Sequence, residues 1–197
     1  IRKSPNLKGW ERLKLDSILR QRFRVPVVVE NDANAAALGE KYFGAGRGVE
    51  NFLYLTVSTG IGSGIVANGR LVRGDSGLAG EAGHMTVVRK GLLCSCGKRG
   101  CLEAYSSGTA IAEHARNLLR GGAKSDYLKR VRLNQITGSL VSQAARMGDR
   151  AAIQARRMAA EYLGVGLANI IQLLNPKCII LGGGVMEHVN HFWKPMM

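Results

Sequence analysis

Apolar residues recur at helical spacing between Leu13 and Phe23, with Leu15, Ile18 and Leu19 on one side, and predict an amphipathic helix. The β-branched run Val25-Pro-Val-Val-Val29 predicts a short buried strand. Glu30-Asn31-Asp32 follows, and the stretch from Ala33 to Tyr42, rich in Ala and Leu, predicts a helix. Gly44-Ala-Gly-Arg-Gly48 reads as a flexible break and a candidate hinge. Phe52 to Val57 predicts a strand, Ser58 to Gly64 a glycine-rich turn, and Ile65 to Ala67 a second strand. Asn68-Gly69 is a strong hairpin signal, and the chain returns through Arg70 to Arg73. The region from Asn51 to Arg73 is thus expected to be a three-stranded antiparallel meander.

Further along, Ser107-Gly108-Thr109 leads into a predicted helix from Ala110 to Leu119, ended by Gly121-Gly122. Lys124 to Gly138 is polar and carries no clear period. Apolar spacing is helical from Ser139 to Leu174, broken into two helices by Gly148-Asp149 and stopped by Asn175-Pro176. Cys178 to Leu181 predicts a buried strand, Gly182 to Gly184 a turn, and Val185 the start of a last helix. A meander, then helices, then a strand and a glycine turn predict an α/β fold. That order is the one found in the actin-like, ribonuclease-H-like ATPase domain.

The chain has 197 residues, 46% of them hydrophobic, enough for the core of one domain or of one domain and part of another. No apolar run is long enough for a membrane helix, and the opening Ile-Arg-Lys-Ser-Pro has no apolar signal segment. A cytoplasmic protein with reduced cysteines and no membrane partner is expected. The missing initiator Met and the ending Phe-Trp-Lys-Pro-Met-Met predict that both ends are cut from something longer. The formal net charge of +14 suits an anionic ligand, or a piece whose remainder is acidic. Basic residues fall in small scattered groups without interleaved aromatics, so nucleic acid is not an expected partner of this segment.

The densest chemistry lies in Cys94-Ser-Cys96-Gly-Lys-Arg-Gly-Cys101-Leu-Glu103, with His84 upstream. Three cysteines and one histidine make a closed tetrahedral set, which reads as structural rather than catalytic zinc. A disulfide or loose thiols are the alternatives, but a disulfide leaves one of the three sulfurs over. Cys178, in an apolar run, reads as an inert buried thiol. Asp32 sits where a strand meets a helix. It can accept a proton from a substrate hydroxyl, or it or Asn31 can simply cap the helix. Thr59-Gly60-Ile-Gly62-Ser-Gly64 can bring backbone N–H groups to an anion, or be a tight turn. Leu181-Gly-Gly-Gly-Val185 can border a nucleotide, or be ordinary strand–helix packing. Glu81 and His84, three apart, can hold sugar hydroxyls. No function is assigned to His114, His188 or His191.

Taken in order, Glu-Asn-Asp, Thr-Gly-Ile-Gly, Glu-Ala-Gly-His, the cysteine motif and Leu-Gly-Gly-Gly closely resemble the ROK family of bacterial sugar kinases and sugar-responsive repressors. The match runs from Ser4-Pro-Asn-Leu-Lys-Gly-Trp10 to Val185 and is most specific from Cys94 to Thr109. The resemblance implies an actin-like fold, with residues 1–42 a remnant of the smaller lobe and 43–197 the larger lobe carrying a zinc loop at 84–101. It implies an ATP-dependent hexose kinase acting on the 6-hydroxyl of glucose or a related sugar. The alternative is a sugar-sensing repressor whose DNA-binding part lies outside this chain. By the same resemblance Asp32 is the catalytic base, and Asn31, Glu81, His84 and Glu103 bind sugar. Thr59, Gly60, Gly182, Gly183 and Gly184 contact ATP, Mg²⁺ bridges its phosphates, and His84, Cys94, Cys96 and Cys101 hold Zn²⁺. A homodimer is expected. The family's first phosphate loop is not in this sequence, so the segment alone is expected not to turn over.

Overall fold

In the computed structural model, residues 13–187 and 192–197 are described. Helix α1 covers Leu15–Phe23 and ends on Arg24 in the left-handed region, whose N–H returns to the Arg20 carbonyl. Val25 to Val29 forms no strand. Pro26 lacks a donor, the Arg20 guanidinium takes the Val27 carbonyl at 2.9 Å, and no described strand lies alongside. Val28 is accordingly 86% exposed rather than buried.

Helix α2 spans Asp32–Phe43. Its N-cap is Asn31, whose Oδ1 accepts from the N–H groups of Ala33 and Asn34 at 2.9 and 3.1 Å. Gly44 to Gly48 is a bonded turn rather than a loose break. The Gly44 and Gly46 N–H groups return to the Glu40 carbonyl, and Ala45 N–H donates to the Glu40 carboxylate at 2.8 Å.

Strands β1 (Phe52–Val57), β2 (Ile61–Ala67) and β3 (Arg70–Val72) form the expected meander. Strand β4 (Cys178–Gly182) adds to β1 in parallel, giving the sheet order β3-β2-β1-β4. The glycine-rich turn is shorter than its sequence suggests, because β2 begins at Ile61 and takes in Gly62 and Gly64. The reason is α2, which lies flush on this strand. A Cβ at Gly64 would stand 2.6 Å from the Ala37 Cβ and 2.9 Å from the Ala33 carbonyl, and one at Gly62 would stand 3.1 Å from the Ala33 Cβ. These glycines serve close packing, not a turn. Helix α2 therefore rests directly on the sheet through β2.

Strand β4 is only partly buried along its whole length, Cys178 included, because it lies at the sheet's edge. Beyond it, Val185 to Glu187 is a turn, and the helix described near the end is α7, Trp193–Met196. Ser4 to Trp10, His188 and His191 lie outside the described residues.

The main core lies between this sheet and a helical layer. That layer contains α3 (Glu103–Ser106), α4 (Gly108–Arg120), α5 (Gly138–Arg146) and α6 (Arg150–Leu174). Leu53, Leu55 and Val57 point from β1 into a cluster with Leu102, Ile111, Val141 and Leu163. The unassigned polar stretch is pinned by two buried apolar residues, Leu128 and Ile136. Asp149 caps α6 and also accepts from the Ser125 hydroxyl at 2.6 Å and from Tyr127 N–H at 3.0 Å. No described helix is long and apolar enough to cross a membrane.

Candidate functional site

The cysteine loop is built by short-range bonds. Cys94 N–H donates to the Lys98 carbonyl at 2.8 Å, Gly97 N–H to Cys94 at 2.9 Å, and Gly100 N–H to Leu92 at 2.8 Å. The Tyr105 hydroxyl, on α3, accepts from Leu92 N–H at 2.6 Å. His84 arrives from the other side on the single turn Ala82–His84. One ligand atom from each of His84, Cys94, Cys96 and Cys101 falls within 4.8 Å of the other three. The Cys96 and Cys101 sulfurs are 3.7 Å apart, and His84 Nδ1 lies 3.7 Å from the Cys94 sulfur. A tetrahedral ion with Zn–S bonds of about 2.3 Å sets its sulfurs about 3.8 Å apart. The four atoms therefore fit a single zinc-sized ion.

Charge supports the same fit. Burial, aided by the neighbouring sulfurs, pushes the Cys101 thiol up to about 12, while the Lys98 backbone N–H chiefly holds Cys96 below its ordinary value. Three thiolates cannot share this space without a cation, and a divalent ion supplies the charge that lets them ionise.

The second ring nitrogen of His84 faces the Glu81 carboxylate at 4.0 Å. Glu103 spans two parts of the site. Its Oε2 accepts from Ile61 N–H at 3.0 Å, just past the Thr59–Gly60 turn. Its Oε1 accepts from the Ser95 hydroxyl at 3.0 Å and lies 3.8 Å from the Cys94 sulfur. Asn31 and Asp32 are exposed at the start of α2, and the next residue, Ala33, packs on Gly62. The start of α2, the Thr59–Gly60 turn, Glu103 and the cysteine loop thus adjoin one another at one end of β2. Glu30, not singled out by its sequence, anchors this corner: its Oε2 pairs with Arg73 at 2.7 Å and its Oε1 accepts from Asn34. Burial opposes its charge, but bonds from Asn34, Arg73 and Asn31 outweigh that and hold it below the usual carboxylate range.

On the helical side of the same turn opens a cleft of about 640 Å³. Ser58, Thr59, Gly184 and Val185 line it together with residues of α4 and α5. Gly183 sits at φ 90°, and a Cβ there would meet the Val57 carbonyl at 2.5 Å, so the triple-glycine turn lies tight against the end of β1. Gly60, Gly182 and Gly183 are not among the residues that line the cleft, and Gly60 faces the Glu103 carboxylate. The sequence reading missed Thr109, Arg116, Thr137, Gly138, Ser142 and Arg146, all on the lining. One signal could have found several of them. Ser107-Gly108-Thr109 and Thr137-Gly138-Ser139 are matching helix starts, capped by Ser107 and Thr137. His114, by contrast, is buried and bonds the Tyr105 carbonyl at 2.8 Å, a packing role.

Known proteins are similar to this chain. The ROK family model matches residues 1–196. A glucokinase from Halalkalibacterium halodurans is 42% identical over 193 residues, covering 95% of this chain and 58% of that protein. A xylose repressor from Caldicellulosiruptor bescii is 41% identical over 179 residues, covering 91% of this chain and 45% of the repressor. The chain spans about half the length of the curated relatives it matches. A ROK family glucokinase from Streptomyces griseus, crystallised with glucose and AMPPNP, superposes with a TM-score of 0.90 at 40% identity. That match covers 100% of this chain and 64% of that one. The fold is therefore the actin-like ATPase fold. With its motifs in order and the family's model matched almost end to end, the chain belongs to the ROK family.

Proposed function

We propose that this chain is the sugar- and nucleotide-binding part of an ATP-dependent hexose kinase that phosphorylates the 6-hydroxyl of glucose or a close relative. The observation that carries the reading is Glu103, one carboxylate held between the Thr59–Gly60 turn and the cysteine loop. A sugar seated against Glu103 lies beside both that turn and the Asp32 end of α2. In this reading Asp32 takes the proton from the hydroxyl, and Asn31, Glu81, His84 and Glu103 hold the ring. The cleft beside Thr59 and Gly184 receives ATP, whose phosphates carry Mg²⁺. Phosphoryl transfer needs mostly positioning and charge neutralisation, and this chain supplies the Ser58 and Thr59 hydroxyls and the two capped helix starts. Zn²⁺ on His84, Cys94, Cys96 and Cys101 would fix the loop that carries Ser95 and abuts Glu103. The reducing cytoplasm, which keeps such thiols free, and a homodimer complete the reading.

The sugar-sensing repressor is the second reading, favoured by the 41% identity to a xylose repressor. Kinase chemistry is preferred because Asp32, the Thr59–Gly60 turn and the triple glycine are all present, and a sensor does not need all three. The test is phosphorylation of a hexose panel by the full-length gene product and its Asp32→Ala variant. The expected result is turnover that falls by roughly 10²–10⁴-fold in the variant while sugar binding persists. Sugar binding without turnover in the unaltered protein would favour the repressor. Equal turnover in both proteins would remove Asp32 from the chemistry.

A further inference from the structure

Behind the cleft lies a cation that the proposed mechanism does not use. Arg156 sits in the second turn of α6, and only 1% of it is exposed. A fully buried guanidinium is costly to place in a core, so the groups that hold it are informative. Its Nη1 donates to the Ser142 hydroxyl on α5 at 2.5 Å, and its Nη2 lies 3.4 Å from the Val185 carbonyl. Both acceptors belong to residues that line the cleft, one on α5 and one just after the triple-glycine turn. The guanidinium also stacks 5.2 Å from the ring centre of Phe192, which is fully buried.

A planar group with several donors at fixed angles can join two elements and fix the angle between them. Here one element is the helix whose capped start faces the cleft. The other is the residue after Gly184, whose N–H in turn donates to the Val57 carbonyl at 3.1 Å at the end of β1. The triple-glycine turn has no side chains of its own to hold its shape. Arg156 supplies a brace from outside. Its charge also adds to that of Arg146, a residue of the cleft wall. Burial and, less strongly, Arg146 both disfavour the ionised form of Arg156.

We infer that Arg156 is a positioning residue for the nucleotide: it clamps the turn at Gly184–Val185 to helix α5 and so sets the width of the ATP cleft without touching the ligand. The inference rests on the reading of that cleft as the ATP site. It predicts that Arg156 governs nucleotide affinity and leaves hexose affinity alone.

The experiment measures binding of Mg·ATP and of glucose separately, by calorimetry, to the unaltered protein and to Arg156→Met and Arg156→Lys. In Arg156→Met, ATP should bind about tenfold or more weakly, as expected for loss of a buried charge-assisted hydrogen bond. Glucose should stay within about twofold, as expected for a distant site. Arg156→Lys, which keeps the charge but on a single donor nitrogen, should recover part of the ATP affinity. Parallel loss of both ligands, or no loss of ATP, overturns the inference. If Arg156→Met does not fold, Ser142→Ala removes one acceptor and leaves the arginine in place. It should weaken ATP alone, and unchanged ATP affinity there overturns the clamp equally. Failure of the unaltered protein to bind ATP would instead overturn the functional reading, so the two failures are distinct.

Discussion

Asp149 shows how a single side chain can carry several structural duties. It caps α6 and gathers the Ser125 hydroxyl and Tyr127 N–H, so it ties the polar stretch before α5 to the longest helix. Burial works against its charge, yet bonds from Ser125, Tyr127, Ala152 and Asp126 together hold its carboxyl below the usual range. A folded-state value below the unfolded one stabilises the protein at pH above the unfolded value of about 3.9. That contribution is lost as pH falls through the folded value. Asp149→Ala should cost about 1–3 kcal/mol at neutral pH, measured by urea denaturation. The gap between the two proteins should shrink in acid below about pH 4; a constant gap there would rule out the charged form as the source. Asp149 was legible in the sequence only as a helix break after Gly148, because its other partners come from a segment with no periodic signal. Asp32 was legible as the start of a helix, though the strand expected before it does not form, whereas Glu30 was not legible, since its partner Arg73 is far along the chain.

Two loops with glycine behave in opposite ways. In the cysteine loop, Gly97 and Gly100 adopt positive φ, 87° and 84°, and fold the segment so that the sulfurs converge. That loop has little apolar burial of its own: Leu92 and Leu93 are exposed, and its ligands should contribute on the order of 10 kcal/mol once zinc is bound. Elemental analysis of the purified protein should find about one zinc per chain. Strong chelation should lower the melting temperature and weaken glucose binding together, because Glu103 is held from both sides. Retained glucose affinity after zinc loss would separate the loop from the sugar site. In β2 the glycines are extended and serve contact instead. Gly64→Ala would press on Ala37 and on the Ala33 backbone and should cost about 1–3 kcal/mol by overpacking, read from thermal denaturation. The pattern Gly-x-Gly-x-Gly shows that something must come close, but not whether it is an anion or a helix. Here Gly60 adjoins the turn while Gly62 and Gly64 meet α2. The meander was readable because its strands are local and Asn68-Gly69 marks the hairpin. The parallel pairing of β1 with β4 joins Phe52 to Cys178, a long-range contact that no local pattern reveals. The false strand at Val25 to Val29 has the opposite cause, since propensity was present but a described partner was not.

For the molecule as a whole, the charge of +14 bears on which ligands are drawn in. Arg116 and Arg146 border the cleft and Arg156 stands behind it. Attraction of ATP should therefore depend on salt, while a neutral hexose serves as an internal control. Between about 10 mM and 1 M salt the screening length falls from about 30 to about 3 Å. ATP affinity should weaken steadily over that range and glucose affinity should hardly change, as measured by titration at each salt concentration. Equal salt dependence for both would detach the charge from nucleotide capture. The two halves of the proposed site also differ in how far they can be adjusted. A joint padded with side chains can be raised or lowered one methyl group at a time. The seat of α2 on β2 has no such padding, so the carboxylate of Asp32 has one permitted height above the strands. In the proposed site, variation in the size of the sugar must then come from residues other than those of α2.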